Sequence, residues 1–269
     1  MIAIAATSPA SLVIDSKPRP VTDTLTMAWR NLVNTRRNPQ LLVLATIQPV
    51  IFVLMFRYVF GGAIGGVTGV PYVDFLMPGI FIQTVVFGSL TTGIGLADDL
   101  NKGLIERFRS LPMARSAVLI GRTLADLVRN VFVVLLMCVV GYVVDWRPHG
   151  DPLEVVGGIA LVLLFSYSLS WVFAIIGLSV RDAETTQAAS FPLLALLVFP
   201  STAFVPLHTM PGWLQVYAEH QPVSVVVEAV RDLTIGGPTS AHVLAAIAWC
   251  VGIVAVCAPL AVARYRSAV

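Results

Sequence analysis

Charge is the first thing this chain lacks. Asp, Glu, Lys and Arg make up 12% of its 269 residues, against roughly 25% in soluble domains, too little polar surface for a water-facing globule. Lysine is rarest, with Lys17 and Lys102 alone, followed by Pro18 and Gly103. A P-loop needs Gly-Lys-Ser/Thr to cradle phosphates, so the sequence contains none. H-E-x-x-H and G-x-S-x-G are also missing, which removes the zincin helix and the nucleophile elbow. The three cysteines, Cys138, Cys250 and Cys257, sit in apolar runs without Cys-x-x-Cys spacing and read as small hydrophobes. His149, His208, His220 and His242 lack metal-ligand spacing, so neither a metal site nor a catalytic constellation is expected. A net charge of +2, with basic residues flanking apolar runs instead of forming one patch, excludes nucleic acid as a partner.

What is present is oil, 57% hydrophobic residues along the whole length. A membrane crossing needs about 20 apolar residues, and six stretches qualify: 41–60, 72–97, 125–144, 153–180, 186–205 and 241–263. They make residues 22–269 one membrane domain behind a disordered tail over residues 1–21. Pro49, Pro78, Pro192 and Pro200 fall in or near the spans, where kinks are expected. Cytoplasmic loops carry the excess of Lys and Arg, and placing both termini in the cytoplasm puts 13 of the 17 basic residues inside. Arg57 and Arg129, near span ends, are expected to snorkel to the interface.

Two segments of the inner face are amphipathic. In residues 22–37, Leu25, Ala28, Trp29, Leu32 and Val33 share one helical face and Arg30, Asn34 and Arg37 another. That pattern predicts a helix lying in the membrane interface on lipid, with Trp29 at headgroup depth. Between spans two and three, Leu100, Leu104, Phe108 and Leu111 form a stripe while Lys102, Glu106 and Arg109 face away. Asp98 and Asp99 are placed at the N-terminus of this second helix, where carboxylates suit the dipole, and Pro112 stops it. Its mixed-charge face suits a protein partner.

Ionisable groups inside spans mark ion routes, and the candidates are few. Asp126 and Arg129, three residues apart, are expected to neutralise each other, which disfavours the alternative of a proton-coupled multidrug carrier. Neutral polar and aromatic side chains of spans two and four, Phe81, Gln83, Phe87, Thr91, Tyr167 and Trp171, are the candidates for a substrate path. Beyond span five, Pro211-Gly212, Pro222 and Gly236-Gly237-Pro238 cut residues 206–240 into two short helices. These suit a broken hairpin re-entering the outer leaflet, with Trp213 on it and Glu228 and Arg231 as a weak exposed pair.

This order of parts resembles ABC-2 type exporter permeases. ERFRSLPMARSAVLIGR (residues 106–122) and FVPLHTMPGWLQVYAEHQPVSVVVEAVRDLTIGG (204–237) are similar to the most recognisable stretches of the daunorubicin-resistance permeases. The resemblance implies an all-α membrane fold of the type V exporter plan: six transmembrane helices, an N-terminal interfacial helix, a cytoplasmic coupling helix and the outer hairpin. It implies an exporter of lipophilic or amphiphilic antibiotics or envelope lipids in the bacterial inner membrane. ATP and Mg would bind two copies of a separate ATPase, not this chain. The coupling helix, residues 99–111, would meet that ATPase through Asp99, Lys102, Leu104, Glu106, Arg107, Phe108 and Arg109. A second permease, identical or related, would pack on spans one and five.

Overall fold

A computed structural model describes residues 20–37, 39–64, 66, 70–103, 115–237 and 239–267. Among the described residues helices are the only regular structure. Helix α1 (Pro20–Arg37) precedes α2 (Pro39–Met55), which continues through a π-helical turn, Phe56–Phe60, and a short turn, Gly61–Ile64. There follow α3 (Tyr72–Asn101), α4 (Arg115–Val143), α5 (Pro152–Val180), α6 (Ala183–Val198), α7 (Gly212–His220), α8 (Pro222–Arg231) and α9 (Thr239–Ser267). Of the tail expected over residues 1–21, residues 1–19 lie outside the described residues, as do the expected contacts Leu104, Glu106, Arg107, Phe108 and Arg109, whereas Pro20 and Val21 already belong to α1.

Local chemistry sets several boundaries. Asp151 and Glu154 form a capping box at the start of α5, with Pro152 at its first position. Arg181 ends α5 in the left-handed region at φ 63°. One residue later the Asp182 carboxylate accepts from Thr185 N at 2.8 Å and Thr185 Oγ1 at 2.6 Å, capping α6. Those bonds hold the Asp182 carboxyl below its usual range. Two caps back to back reverse the chain sharply.

Among the described residues four helices are long and apolar enough to cross a membrane: Tyr72–Asn101, Ala117–Val143, Pro152–Val180 and Ala241–Ser267. The apolar part of α2 is shorter, Ala45–Phe60, and α6 has 16 residues, about 24 Å of helix against a hydrocarbon core of about 30 Å. Two expected boundaries move. Helix α4 starts at Arg115, not near residue 125, because it carries a polar first stretch beyond the apolar run. Helix α6 stops at Val198, where the chain turns and Ser201 Oγ donates to Val198 O at 2.6 Å.

Helix α3 is the hub, buried along most of its apolar length, whereas α9 is peripheral and largely exposed. It packs along α5 and also meets α4, α6 and α8. A Cβ on Gly93 would lie 2.5 Å from Phe173 O, and one on Gly177 would strike Gly93 O, so the α3 and α5 backbones touch. Buried hydroxyls join the helices, as is usual in membrane bundles. Ser89 Oγ donates to Ser166 O at 3.0 Å, and Ser168 Oγ to Cys250 O at 3.1 Å. Outward, Val139, Val143, Leu153, Val156, Leu244 and Val256 are exposed, an apolar skin of the kind a bilayer covers. The protein is an integral membrane protein.

Gly93→Val or Gly177→Val should destabilise the bundle by about 1 to 3 kcal/mol or more through overpacking. Gly157→Ala, where an added Cβ meets nothing within 4 Å, should be neutral or stabilising. Thermal aggregation of purified full-length variants, followed by size exclusion, checks this; equal stability of Gly177→Val and Gly157→Ala would refute the contact.

Candidate functional site

At one end of the bundle, α1 lies across α4. Its anchor is Met27, 5% exposed, which joins Leu96, Leu119, Trp171, Leu178, Ala261 and Tyr265 in a second core cluster. Leu25 and Trp29 point the other way, 61% and 67% exposed. This corrects the single apolar face expected for α1. Two residues around a helix are about 200° apart, so Met27 and Leu25 stand on opposite sides, one packed on protein and one exposed. Arg37 is exposed in the last turn, while Arg30 is half-buried and donates to Asn31 Oδ1 at 3.3 Å.

Above α1 a cavity of about 660 Å³ opens between α1, α2, α3, α4 and α6. Helix α1 contributes Asn31 and Asn34, α2 Gln48 and Pro49, and α6 Gln187 and Phe191. Of the substrate-path candidates, Gln83, Phe87 and Thr91 line it. Phe81, Tyr167 and Trp171 do not. Phe81 is 1% exposed and packs edge-on against Trp146, centroids 5.3 Å apart. Tyr167 and Trp171 pair edge-to-face at 6.1 Å in the cluster that holds Met27. Helix α5 is apolar nearly all round, so no stripe in its sequence shows that Tyr167 and Trp171 face the Met27 cluster instead of the cavity. Gln48 and Gln187 escaped notice, although an amide inside an apolar run was the signal available.

The cavity carries charge in paired form. Arg129 Nη1 meets Asp126 Oδ1 at 3.0 Å, Arg129 Nη2 donates to Gly88 O at 2.8 Å, and Thr92 Oγ1 donates to Asp126 Oδ2 at 2.6 Å. Arg129 therefore turns inward, with its side chain 13% exposed; it does not snorkel, because a carboxylate and a backbone carbonyl receive it. Asn130 Nδ2 extends the network to Ser166 Oγ at 2.6 Å.

A second correction concerns Asp98 and Asp99. They stand in the last turn of α3, not at the N-terminus of a new helix. Carboxylates there oppose the helix dipole, and two cations offset the cost. Lys102 Nζ donates to Asp98 Oδ2 at 2.6 Å and Arg122 Nη1 to Asp99 Oδ2 at 2.9 Å. The Asp98 hydrogen bond raises the Lys102 pKa. Gly95 makes room for Arg122, since any Cβ there would strike the guanidinium.

At the other end, α7 and α8 form the two expected short helices, with Trp213 exposed on α7. The Glu228–Arg231 pair is not the exposed one expected. Arg231 is 8% exposed, and its Nη1 donates to Glu228 Oε1 at 2.6 Å. Its Nη2 donates to Phe75 O at 3.1 Å and Thr202 O at 2.9 Å, and its guanidinium lies 3.7 Å from the Phe75 ring centroid. One side chain thus ties α8 to α3 and to the turn after α6.

The family described as ABC-2 type transporter matches residues 22–235. The chain is 36% identical to the daunorubicin resistance ABC transporter permease protein DrrB1 of Streptomyces coeruleorubidus, over 92% of this chain and 87% of that one. It is 30% identical to the probable doxorubicin resistance ABC transporter permease protein DrrC of Mycobacterium tuberculosis, over 92% and 90%. A putative transport permease, ycf38 of Pyropia yezoensis, is 27% identical over 76% and 71%.

Arg231→Ala should cost about 3 kcal/mol, the low end for a buried pair, because it strands the Phe75 and Thr202 carbonyls and leaves Glu228, 33% exposed, without its partner. Arg231→Lys should rescue only part of this, since an ammonium cannot fork between Phe75 O and Thr202 O. Thermal scans of the purified variants read both; a Lys variant as stable as the parent would show that charge alone suffices.

Proposed function

Because the chain belongs to the ABC-2 type transporter family, we propose that it is the membrane permease of an ATP-driven exporter. Its cargo on this reading is a lipophilic or amphiphilic compound, an antibiotic or an envelope lipid, taken from the inner leaflet. The observation that carries the proposal is the cavity beside α1, a mixed polar and apolar chamber of about 660 Å³, within the roughly 300 to 1,000 Å³ of small-molecule sites. Relatives named for daunorubicin and doxorubicin resistance support a drug-sized cargo.

In this arrangement α2, α3, α4, α5, α6 and α9 are six spans and α7–α8 is a re-entrant hairpin. Both termini lie in the cytoplasm of a bacterial cell. Two copies of a P-loop ATPase hold ATP and Mg and seat against Lys102 and the segment with Leu104, Glu106, Arg107, Phe108 and Arg109. Asp99 belongs to the same contact set, and both it and Lys102 enter it already paired, with Arg122 and Asp98 respectively. A second permease packs on α2 and α6. Helix α1 links motor to cavity: Asn31 and Asn34 line the chamber while Met27 is seated in the cluster between α3, α4, α5 and α9. Closure of the motors would then tilt α1 and reshape the chamber. Asp126 is engaged by Arg129 and Thr92, an ion pair that fixes the helix and so favours this reading over a proton-coupled carrier.

The chain should co-purify with a P-loop ATPase, and Glu106→Arg with Arg109→Glu should abolish transport in vesicles while the protein stays in the membrane. Transport at parental rate in that double variant would refute the coupling role. Under a pH gradient without ATP the chain alone should move no substrate, and Asp126→Asn should change nothing in that assay; a gradient-driven flux lost in Asp126→Asn would establish the carrier instead.

A further inference from the structure

Among the described residues the charged side chains that line the cavity are Asp98, Arg122, Asp126 and Arg129, and their partners decide which of them can change. Asp126 and Arg129 stand three residues apart on α4, so they move as one body. Asp98 and Lys102 are four apart at the end of α3, with side chains 42% and 63% exposed, where water screens them. The pair of Asp99 with Arg122 differs on both counts. It joins α3 to α4 at 2.9 Å, and its side chains are 13% and 20% exposed. Of these three pairs it alone lengthens when one helix shifts against the other.

Both partners are tied to the parts that a motor would move on the exporter reading, on which this role of the pair rests. Asp99 lies two residues before the end of α3, where the chain runs on toward the expected motor contact. Arg122 follows Gly121, where an added Cβ would lie 2.6 Å from Met27 Cβ and 2.8 Å from Thr24 O, so the α1 backbone bears on α4 at the root of Arg122. The guanidinium rests against Gly95 of α3, which has no side chain to displace it.

While Asp99 is in place, Arg122 adds no net charge to the cavity. Once the two part, the wall carries one unpaired cation with little water to screen it. Two like charges about 10 Å apart at an effective dielectric of about 20 repel enough to weaken binding about tenfold. We propose that Arg122 sets the affinity of the cavity for a cationic amphiphile. The cation is held while Asp99 neutralises Arg122, and its hold weakens when the α3 tip shifts against α4 and parts the pair. A neutral amphiphile is indifferent to that change, and an anionic one gains from it.

The full-length chain in nanodiscs of zwitterionic lipid is titrated with three probes that share one fluorescent body. These are 1-pyrenemethylamine, 1-pyrenemethanol and 1-pyreneacetic acid, at neutral pH a cation, a neutral molecule and an anion, each corrected for partition into empty nanodiscs. Asp99→Asn keeps the shape and removes the charge. It should weaken the amine about tenfold, tighten the acid by a similar factor and leave the alcohol within about twofold. Adding Arg122→Gln should restore the parental affinity of all three, which a general packing defect would not do. Where Asp99→Asn does not purify as a single species, Arg122→Gln alone carries the test with opposite signs, the amine tighter and the acid weaker. In the complex with its ATPase, a non-hydrolysable ATP analogue should weaken the amine more than the alcohol, and Arg122→Gln should abolish that difference. No binding of the amine to the parent chain, the same change for all three probes, a double variant that keeps the defect, or an ATP analogue that affects amine and alcohol alike would overturn the proposal. The exporter reading fails separately. The charge signature in a chain that neither recruits an ATPase nor transports leaves Arg122 as the determinant of affinity and removes the motor, whereas ATP-driven transport without the signature removes the role of Arg122 alone.

Discussion

Where α3 crosses α5, Gly93 and Gly177 bring the two backbones into contact, and the positions of the other helices follow from that distance. Dispersion forces and short hydrogen bonds hold membrane helices together once lipid has removed the hydrophobic drive between them. Close approach is therefore the precondition for Ser89 to reach Ser166 O and for Asn130 to reach Ser166 Oγ. Helix α4 joins the pair through Thr92 and Asp126, and α9 joins through Ser168. The cavity exists because this scaffold is tight on one side of α3 and leaves the other side open toward α2 and α6.

The two ends of the scaffold are fastened differently. The end that carries the hairpin is held by Arg231, which gathers a carboxylate, two carbonyls and an aromatic face. The end that carries α1 is held by Met27 and its apolar neighbours. A hydrogen-bonded guanidinium is directional, whereas an apolar seat tolerates small shifts and rotations. Movement transmitted through α1 can therefore reach the cavity while the opposite end keeps its geometry.

Much of this was legible in the sequence, and the failures have physical causes. Hydropathy located Pro152–Val180 to within a residue, because Asp151, Pro152 and Arg181 punctuate that helix. It placed the start of α4 too late, since apolarity ends where lipid ends but a helix continues into water. It ran past the end of α6, because the turn after Val198 is as apolar as the helix before it. The Asp98–Asp99 dipeptide reads as an N-terminal signal by composition; only the neighbours Lys102 and Arg122 explain why it closes α3 instead. Gln83, Phe87 and Thr91 could be chosen for polarity or bulk, whereas nothing in the chain separates them from Tyr167 and Trp171, which the fold turns toward α9. Burial of Arg231 has no local signature at all, since its partners Phe75 and Thr202 are distant in sequence.

The three ion pairs along α3 and α4 differ in their exposure to water. The side chains of Asp98 and Lys102 are 42% and 63% exposed, those of Asp99 and Arg122 13% and 20%, and those of Asp126 and Arg129 10% and 13%. Dissolved ions screen surface charges within about 8 Å at physiological strength but act weakly on pairs enclosed by protein. Rising ionic strength therefore loosens the tip of α3 first, at the Asp98–Lys102 pair, and meets resistance one residue on from Asp98, at Asp99. The protein thus has a salt-sensitive fringe and a salt-insensitive floor separated by a single peptide bond.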